Sequence, residues 1–305
     1  MIVLFVSIPT SAKGIDECGR AFQEIPRPFA FGKYYGGPSG NLWAAGGYGT
    51  VSLTRPNRTV LTVELGTSAS FNSILFAKDE TVGYVVGTSG AIFSSVDLGQ
   101  TWIRRNSGRN EELEAIDCTD KSTCWAVGRN GTVLSTINGG LDWDFFQIED
   151  KPDLRSVSFA NSKVGWIAGN KWTVLKTHDG GRTWEGIPHS RLRGSSKTDI
   201  RAIAFTTIKF FSDDLGCVAG DSRIICTSDG GETWSFTETD KSLYANKWLG
   251  FAADQAKLIA VGECAENDFV SFDRGKSWVR RSMNGPFGRA VSDTRLPAEV
   301  SGPTR

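Results

Sequence analysis

One eight-residue pattern occurs five times in this chain and limits its fold more than any other feature. It reads SVDLGQTW at 95–102, TINGGLDW at 136–143, THDGGRTW at 177–184, TSDGGETW at 227–234 and SFDRGKSW at 271–278. Ser or Thr comes first, Asp or Asn third, Gly fifth and Trp last. The third positions, Asp97, Asn138, Asp179, Asp229 and Asp273, are spaced by 41, 41, 50 and 44 residues. Chance does not produce this.

The residues around each copy repeat too. Upstream lie two apolar runs joined by a turn, as in GYVVGTSGAIFSS, CWAVGRNGTVLST, GWIAGNKWTVLKT and GCVAGDSRIICTS. Before them comes another alternating stretch (FNSILFA, LEAIDCT, LRSVSFA, IRAIAFT, KWLGFAA), and a short run follows each Trp. Four short strands per 40 to 50 residues is the spacing of β-propeller blades, whose sheets bury their faces on one another around an axis. The longer interval holds an insertion, RLRGSSKTD, before the fifth blade. A first unit lacks the eight-residue pattern but keeps FAFGKYYGG, NLWAAGGYGTVSLT and RTVLTVEL, enough for four strands. The expectation is an all-β fold, a single propeller of six four-stranded blades at 28–66, 70–107, 112–149, 153–188, 199–239 and 246–282, with seven blades as the alternative. The high content of Gly (35 residues) and Trp (10) follows from these turns and closing tryptophans.

Composition removes several functions. Lys plus Arg and Asp plus Glu are both 34, so no global field attracts nucleic acid. The only histidines, His178 and His189, leave little for a multi-His metal centre or a Ser-His-Asp relay. No cofactor, metal or catalytic residue is expected. Residues 1–12 (MIVLFVSIPTSA) resemble the apolar part of a secretory signal, 13–27 form an N-terminal extension, and 283–305 read as a flexible tail. The expected location is therefore exported: periplasm, thylakoid lumen or extracellular space.

The repeated octet is identified as the Asp-box, or bacterial neuraminidase repeat. Its carboxylate suits a tight turn, accepting backbone N–H and hydroxyl hydrogen bonds. Its Trp (102, 143, 184, 234 and 278) supplies apolar area with one N–H to satisfy. Five equivalent positions in five blades cannot converge on one site, so these aspartates read as turn staples. The six cysteines pair by position as Cys118–Cys124 across a short strand connection, Cys217–Cys226 across a hairpin, and Cys18–Cys264 by remainder, which suits an oxidising compartment. Arg55, Arg58, Arg104, Arg105, Arg280 and Arg281 fall in blades one, two and six, neighbours in a closed ring. They are the candidate docking sector for a protein or peptide bearing carboxylates. Acidic residues such as Glu111, Glu112, Glu114, Asp117, Asp142, Asp144 and Asp153 collect in blades three and four.

The pattern GW-x-x-G-x-x-G-x-(V/I)-x-x-(S/T)-x-DGG-x-TW at near-even spacing resembles the photosystem II assembly/stability factor family and its bacterial relatives. Trp172 replaces the central Gly in one copy, and Leu98 replaces the first Gly of the pair in another. The resemblance covers about residues 40–280. It implies an exported, non-catalytic propeller that binds membrane-protein assembly intermediates, partly through an arginine patch, with seven blades in photosynthetic members. A monomer is expected. Sialidases and other glycoside hydrolases share the scaffold and form the alternative. Their Arg-Ile-Pro signature is here Glu24-Ile25-Pro26, and Tyr34, Tyr35, Tyr48, Tyr84 and Tyr244 offer no persuasive nucleophile with a Glu partner.

Overall fold

The computed structural model describes residues 29–31, 33–77, 79–193, 204–220, 223–236, 248–253, 257–262 and 268–280. Each repeat folds as an antiparallel meander, since short alternating runs joined by tight turns pair with their sequence neighbours. Blade one contains β1 (Phe29–Phe31), β2 (Tyr34–Gly36), β3 (Leu42–Ala45), β4 (Thr50–Thr54) and β5 (Val60–Glu64). Blade two contains β6 (Phe71–Phe76), β7 (Gly83–Gly87), β8 (Ile92–Ser95) and β9 (Ile103–Arg105). Blade three is β10 (Leu113–Cys118), β11 (Cys124–Gly128), β12 (Thr132–Thr136) and β13 (Asp144–Gln147); blade four is β14 (Leu154–Phe159), β15 (Gly165–Gly169), β16 (Val174–Thr177) and β17 (Glu185–Gly186). Blade five is β18 (Thr207–Phe210), β19 (Gly216–Gly220), β20 (Arg223–Thr227) and β21 (Ser235–Phe236); blade six is β22 (Trp248–Ala253), β23 (Leu258–Gly262), β24 (Phe269–Ser271) and β25 (Val279–Arg280).

The protein is thus an all-β propeller of six blades. First strands of successive blades pack on one another, β6 on β10, β10 on β14, β14 on β18 and β18 on β22, so they surround the axis. Leu42 of blade one shares an apolar cluster with Ala252, Ile259 and Val261 of blade six, which closes the ring. Blade one departs from the expected four strands. FAFGKYYGG makes two strands rather than one, and β1 adds to the inner edge of β2, against β6 and β22. The insertion before blade five begins inside a short helix, α1 (His189–Arg193), whose Leu192 is buried with Trp172 and Phe205. The expected signal segment, N-terminal extension and C-terminal tail lie outside the described residues.

Burial follows position in the blade. The second strands β7, β11, β15, β19 and β23 are buried at every residue, because neighbouring blades cover both faces. The outermost strands β5 and β13 alternate or are exposed.

Between blades, one contact recurs. The aromatic ring of a second strand stacks on a Phe that ends the next blade's first strand: Trp43 on Phe76, Trp125 on Phe159 at 3.5 Å and Trp166 on Phe210 at 3.4 Å between centroids. That Phe in turn covers a glycine beside it. A Cβ on Gly165 would lie 2.5 Å from the Phe159 ring, so the position excludes side chains. Such pairs contribute about 0.5–1.5 kcal/mol each beyond area burial.

Three seams lack this pair: blade six meets blade one through the aliphatic cluster of Leu42, Ala252, Ile259 and Val261, and each of the other two has a disulfide instead. Register places Cys118 and Cys124 where Phe159 and Gly165 stand in blade four, at the seam where blade two offers Tyr84. Cys217 takes the place of Trp166, and its bridge to Cys226 faces Gly275 of blade six, whose Cβ would be 2.6 Å from the Cys226 sulfur. The Cys118–Cys124 and Cys217–Cys226 bridges are both present; Cys18 and Cys264 lie outside the described residues. The disulfides therefore fill aromatic positions in the packing pattern. We predict that Cys217→Ala/Cys226→Ala lowers stability by about 2–4 kcal/mol in urea unfolding, from loop entropy and the vacated seam. An unchanged midpoint would show that the seam holds without the bridge.

Candidate functional site

The Asp-box turns connect third and fourth strands at one end of the ring. In blade four the Thr177 hydroxyl donates to Asp179 Oδ1 and accepts the Gly181 N–H. Asp179 Oδ1 also accepts the Thr183 N–H at 2.9 Å, and Oδ2 accepts the Thr183 hydroxyl at 2.6 Å. Asp97 and Thr101, Asp229 and Thr233, and Asp273 and Ser277 repeat the arrangement. In blade three the polarity is exchanged: the Asn138 amide donates to the Asp142 carboxylate at 3.1 Å. The closing indoles of Trp102, Trp184 and Trp234 donate to the carbonyl of their own box glycine at 3.1 Å, while those of Trp143 and Trp278 are buried without a partner.

Neighbouring blades join at these turns. Trp43 donates to Leu98 O of blade two, Tyr84 to Lys121 O of blade three and Trp125 to Gly180 O of blade four. At the blade four–five seam Lys176 Nζ takes the Gly230 carbonyl at 2.7 Å, and the Trp166 N–H is left unpaired.

The Asp179 carboxyl is held down to about 2 by the Thr183 hydroxyl and N–H, against a smaller opposing effect of burial. For Asp229, also at about 2, burial pushes up but the Thr233 and Thr227 hydrogen bonds outweigh it. Asp97 and Asp273 are lowered by the same balance. Carboxyls depressed on folding stabilise the native state above the unfolded value near ~3.9, and that stability is lost as pH falls through the folded value. Stability should therefore decline between about pH 4 and pH 2. Thr183→Val should raise the Asp179 pKa toward the ordinary carboxylate range in a ¹³C carboxyl NMR titration; no change would remove the hydroxyl as the cause.

The arginines fall at the rim of three adjacent blades, at different heights. Arg55 and Arg58 share the β4–β5 turn, where Arg58 N–H donates to Arg55 O at the Asp-box end. Arg104 and Arg105 lie on β9, opposite Phe93 and Ile92, and run toward the other end. Arg280 on β25 holds the same place in blade six as Arg104 in blade two, opposite Phe269, and Arg281 lies outside the described residues.

Arg104 and Arg105 meet a residue that sequence reasoning missed. With Arg109, Ser89, Ser107 and Asn110 they line a polar cavity of about 340 Å³ at the end opposite the Asp-boxes. Arg105 Nε donates to Ser94 Oγ at 2.7 Å, and Arg109 is bidentate to Glu111 with its guanidinium 3.9 Å above the Phe145 ring. The Arg104 guanidinium has no hydrogen-bond or ion-pair partner among the described residues. Arg109 sits in a connection between blades, outside any repeated motif, so only the folded chain shows where it points.

The acidic residues of blades three and four are largely engaged. Arg129 pairs with Glu112 at 2.9 Å and Arg155 with Glu114 at 2.8 Å, and burial pushes the Glu114 carboxyl up. Asp117 accepts the Phe159 N–H at 2.7 Å and faces Lys209 of blade five at 3.8 Å, joining inner strands across two seams. Among the described residues no group of three His, Cys, Asp or Glu could hold a metal ion, and no helix is long and apolar enough to cross a membrane.

The family model of the Photosynthesis system II assembly factor YCF48 matches residues 54–152 and 109–204, which together span blades two to four and their flanks. The chain resembles the photosystem II assembly factors. No curated protein matches it. Among solved structures, one titled as YCF48 bound to D1 peptide is 17% identical, with a TM-score of 0.59 over 90% of this chain and 88% of that one. YCF48 from Cyanidioschyzon merolae is 18% identical, with a TM-score of 0.59 over 84% and 87%. Virginiamycin B lyase from Staphylococcus aureus is 10% identical, with a TM-score of 0.67 over 85% and 86%. At such identities these likenesses carry the propeller fold and leave the activity to the site.

Proposed function

We propose that this chain is an exported, non-catalytic propeller that binds a carboxylate-bearing peptide segment of a membrane-protein complex, as an assembly or stability factor. The observation that carries the reading is the unpartnered Arg104 guanidinium beside Arg105 and Arg109 at a polar cavity. A guanidinium fork matches a carboxylate in two parallel hydrogen bonds, and an unoccupied fork beside a concave wall gains most from such a partner. Arg280 in the equivalent place of blade six extends the basic sector along the outer strands, whereas Arg55 and Arg58, expected in the same sector, lie at the Asp-box end and fall outside it. The match to the YCF48 model and the solved YCF48 complex with a D1 peptide favour a peptide as the partner class. Two disulfides favour an oxidising compartment. The Asp-box carboxylates are consumed within their own turns, which supports a structural role over acid catalysis.

The test is fluorescence anisotropy with an array of overlapping D1 peptides. Arg104→Glu/Arg105→Glu/Arg280→Glu/Arg281→Glu should weaken capture roughly tenfold or more, about 1.4 kcal/mol or above, with the melting temperature retained. Equal capture by the variant removes the basic sector. Turnover of fluorogenic sialosides or β-glucosides would instead make the chain a glycoside hydrolase.

A further inference from the structure

The exposed apolar side chains are distributed unevenly around the ring. Among the described residues, every large exposed hydrophobic lies in blades one, two, three or six, and none in blades four or five. Three occupy one repeat position, the residue just before the Asp-box acid: Val96 at 64%, Ile137 at 79% and Phe272 at 67% exposure. Blades four and five place His178 and Ser228 there. Leu98 and Leu141 extend the same two turns in blades two and three and are also exposed.

Leu98 is informative by its backbone. It adopts φ 63°, as Gly139 and Gly180 do with φ 75° and 77° at the same position. This left-handed conformation is unfavourable for a residue with a β-carbon, and Gly removes the strain. Three of the repeats use glycine here, while blade two keeps an exposed leucine and blade six keeps Arg274 at φ 60°. Between blades six and two, the turn of blade one at this end carries Arg55, Pro56 and Arg58, and neither guanidinium has a partner among the described residues.

Because Val96, Ile137 and Phe272 hold equivalent positions in a ring of repeats, they stand at one height along its axis. They form a level set of separate prongs, with Asp97 and Asp273 beside them held by hydrogen bonds inside their own turns. We propose that the Asp-box end of blades six, one, two and three rests on a lipid bilayer. The apolar tips enter the boundary between headgroups and acyl chains, and Arg55 and Arg58 reach lipid phosphates. A protein groove demands contiguous complementary packing, whereas a flat fluid surface accepts isolated prongs at a common level. Arg55, Arg58, Lys121, Arg274 and Lys276 share the turns at this end with Asp79, Asp97, Asp120, Asp142 and Asp273, so the surface has no net basic field and neutral phosphatidylcholine is the matching lipid. This surface lies at the opposite end from the Arg104 cavity and does not depend on it.

The experiment is flotation of the full chain with phosphatidylcholine vesicles, without peptide. The wild type should co-float, and Val96→Ser/Ile137→Ser/Phe272→Ser should reduce the bound fraction at least tenfold at an unchanged melting temperature. Arg55→Glu/Arg58→Glu should reduce it as well, whereas Arg104→Glu/Arg105→Glu should leave it unchanged. The proposal is overturned by failure of the wild type to float, by equal flotation of the triple serine variant, or by ultracentrifugation showing a self-associated species that this variant dissolves.

Discussion

The ring depends on an aromatic contact repeated from blade to blade. A sheet of four short strands has two apolar faces and cannot bury either alone, so the blade becomes stable only when its neighbour covers it. The stack of Trp125 on Phe159, with an interplanar angle of 9°, and of Trp166 on Phe210, at 3°, provides that cover at the Asp-box end of the seam. The glycines beside Phe159 and Phe210 follow from it, since the flat ring needs their missing side chains. The disulfides follow as well, standing at seams where the Trp–Phe pair is absent. Tyr84 and the Cys118–Cys124 bridge meet at one seam, and Cys217–Cys226 meets Gly275 at the other.

The Asp-box is the second element of the same construction. Its hydroxyl, carboxylate and N–H groups satisfy one another within seven residues, which fixes a turn that protrudes from the sheet. Its carbonyls then serve as acceptors for the preceding blade, as Gly180 does for Trp125. A local staple thereby becomes a joint between repeats. With its carboxylates so occupied, recognition falls to side chains that the turns and outer strands carry, and these differ from blade to blade.

The fold was legible because repetition multiplies a weak signal. Each strand is too short to be certain alone, but five copies of a turn with fixed hydroxyl, acid, glycine and indole positions define the blade and its register. The Cys118–Cys124 and Cys217–Cys226 pairs were legible for the same reason, because local register sets their separation. The Phe159 position was also written in its first-strand string, but its partner lies in the preceding blade, so its role required the seam; Phe210 was not, because the first strand of blade five is Thr207–Phe210 and not the expected IRAIAFT before it. The double strand in FAFGKYYGG was not legible. Phe29–Phe31 folds back on Tyr34–Gly36 and meets the first strands of blades two and six, contacts that belong to the ring and not to the segment.

The sequence by itself determined the meander, its turns and the number of blades, since these rest on contacts within one repeat. The tertiary structure decided which ends of the ring the charged and apolar side chains occupy. Arg55 and Arg104 look alike in the sequence, yet one lies in a third-to-fourth-strand turn and the other runs along an outer strand toward a cavity that includes Arg109. Local hydrogen bonding fixes a repeat, but the height and facing of a side chain on a ring are set only when all the blades have closed.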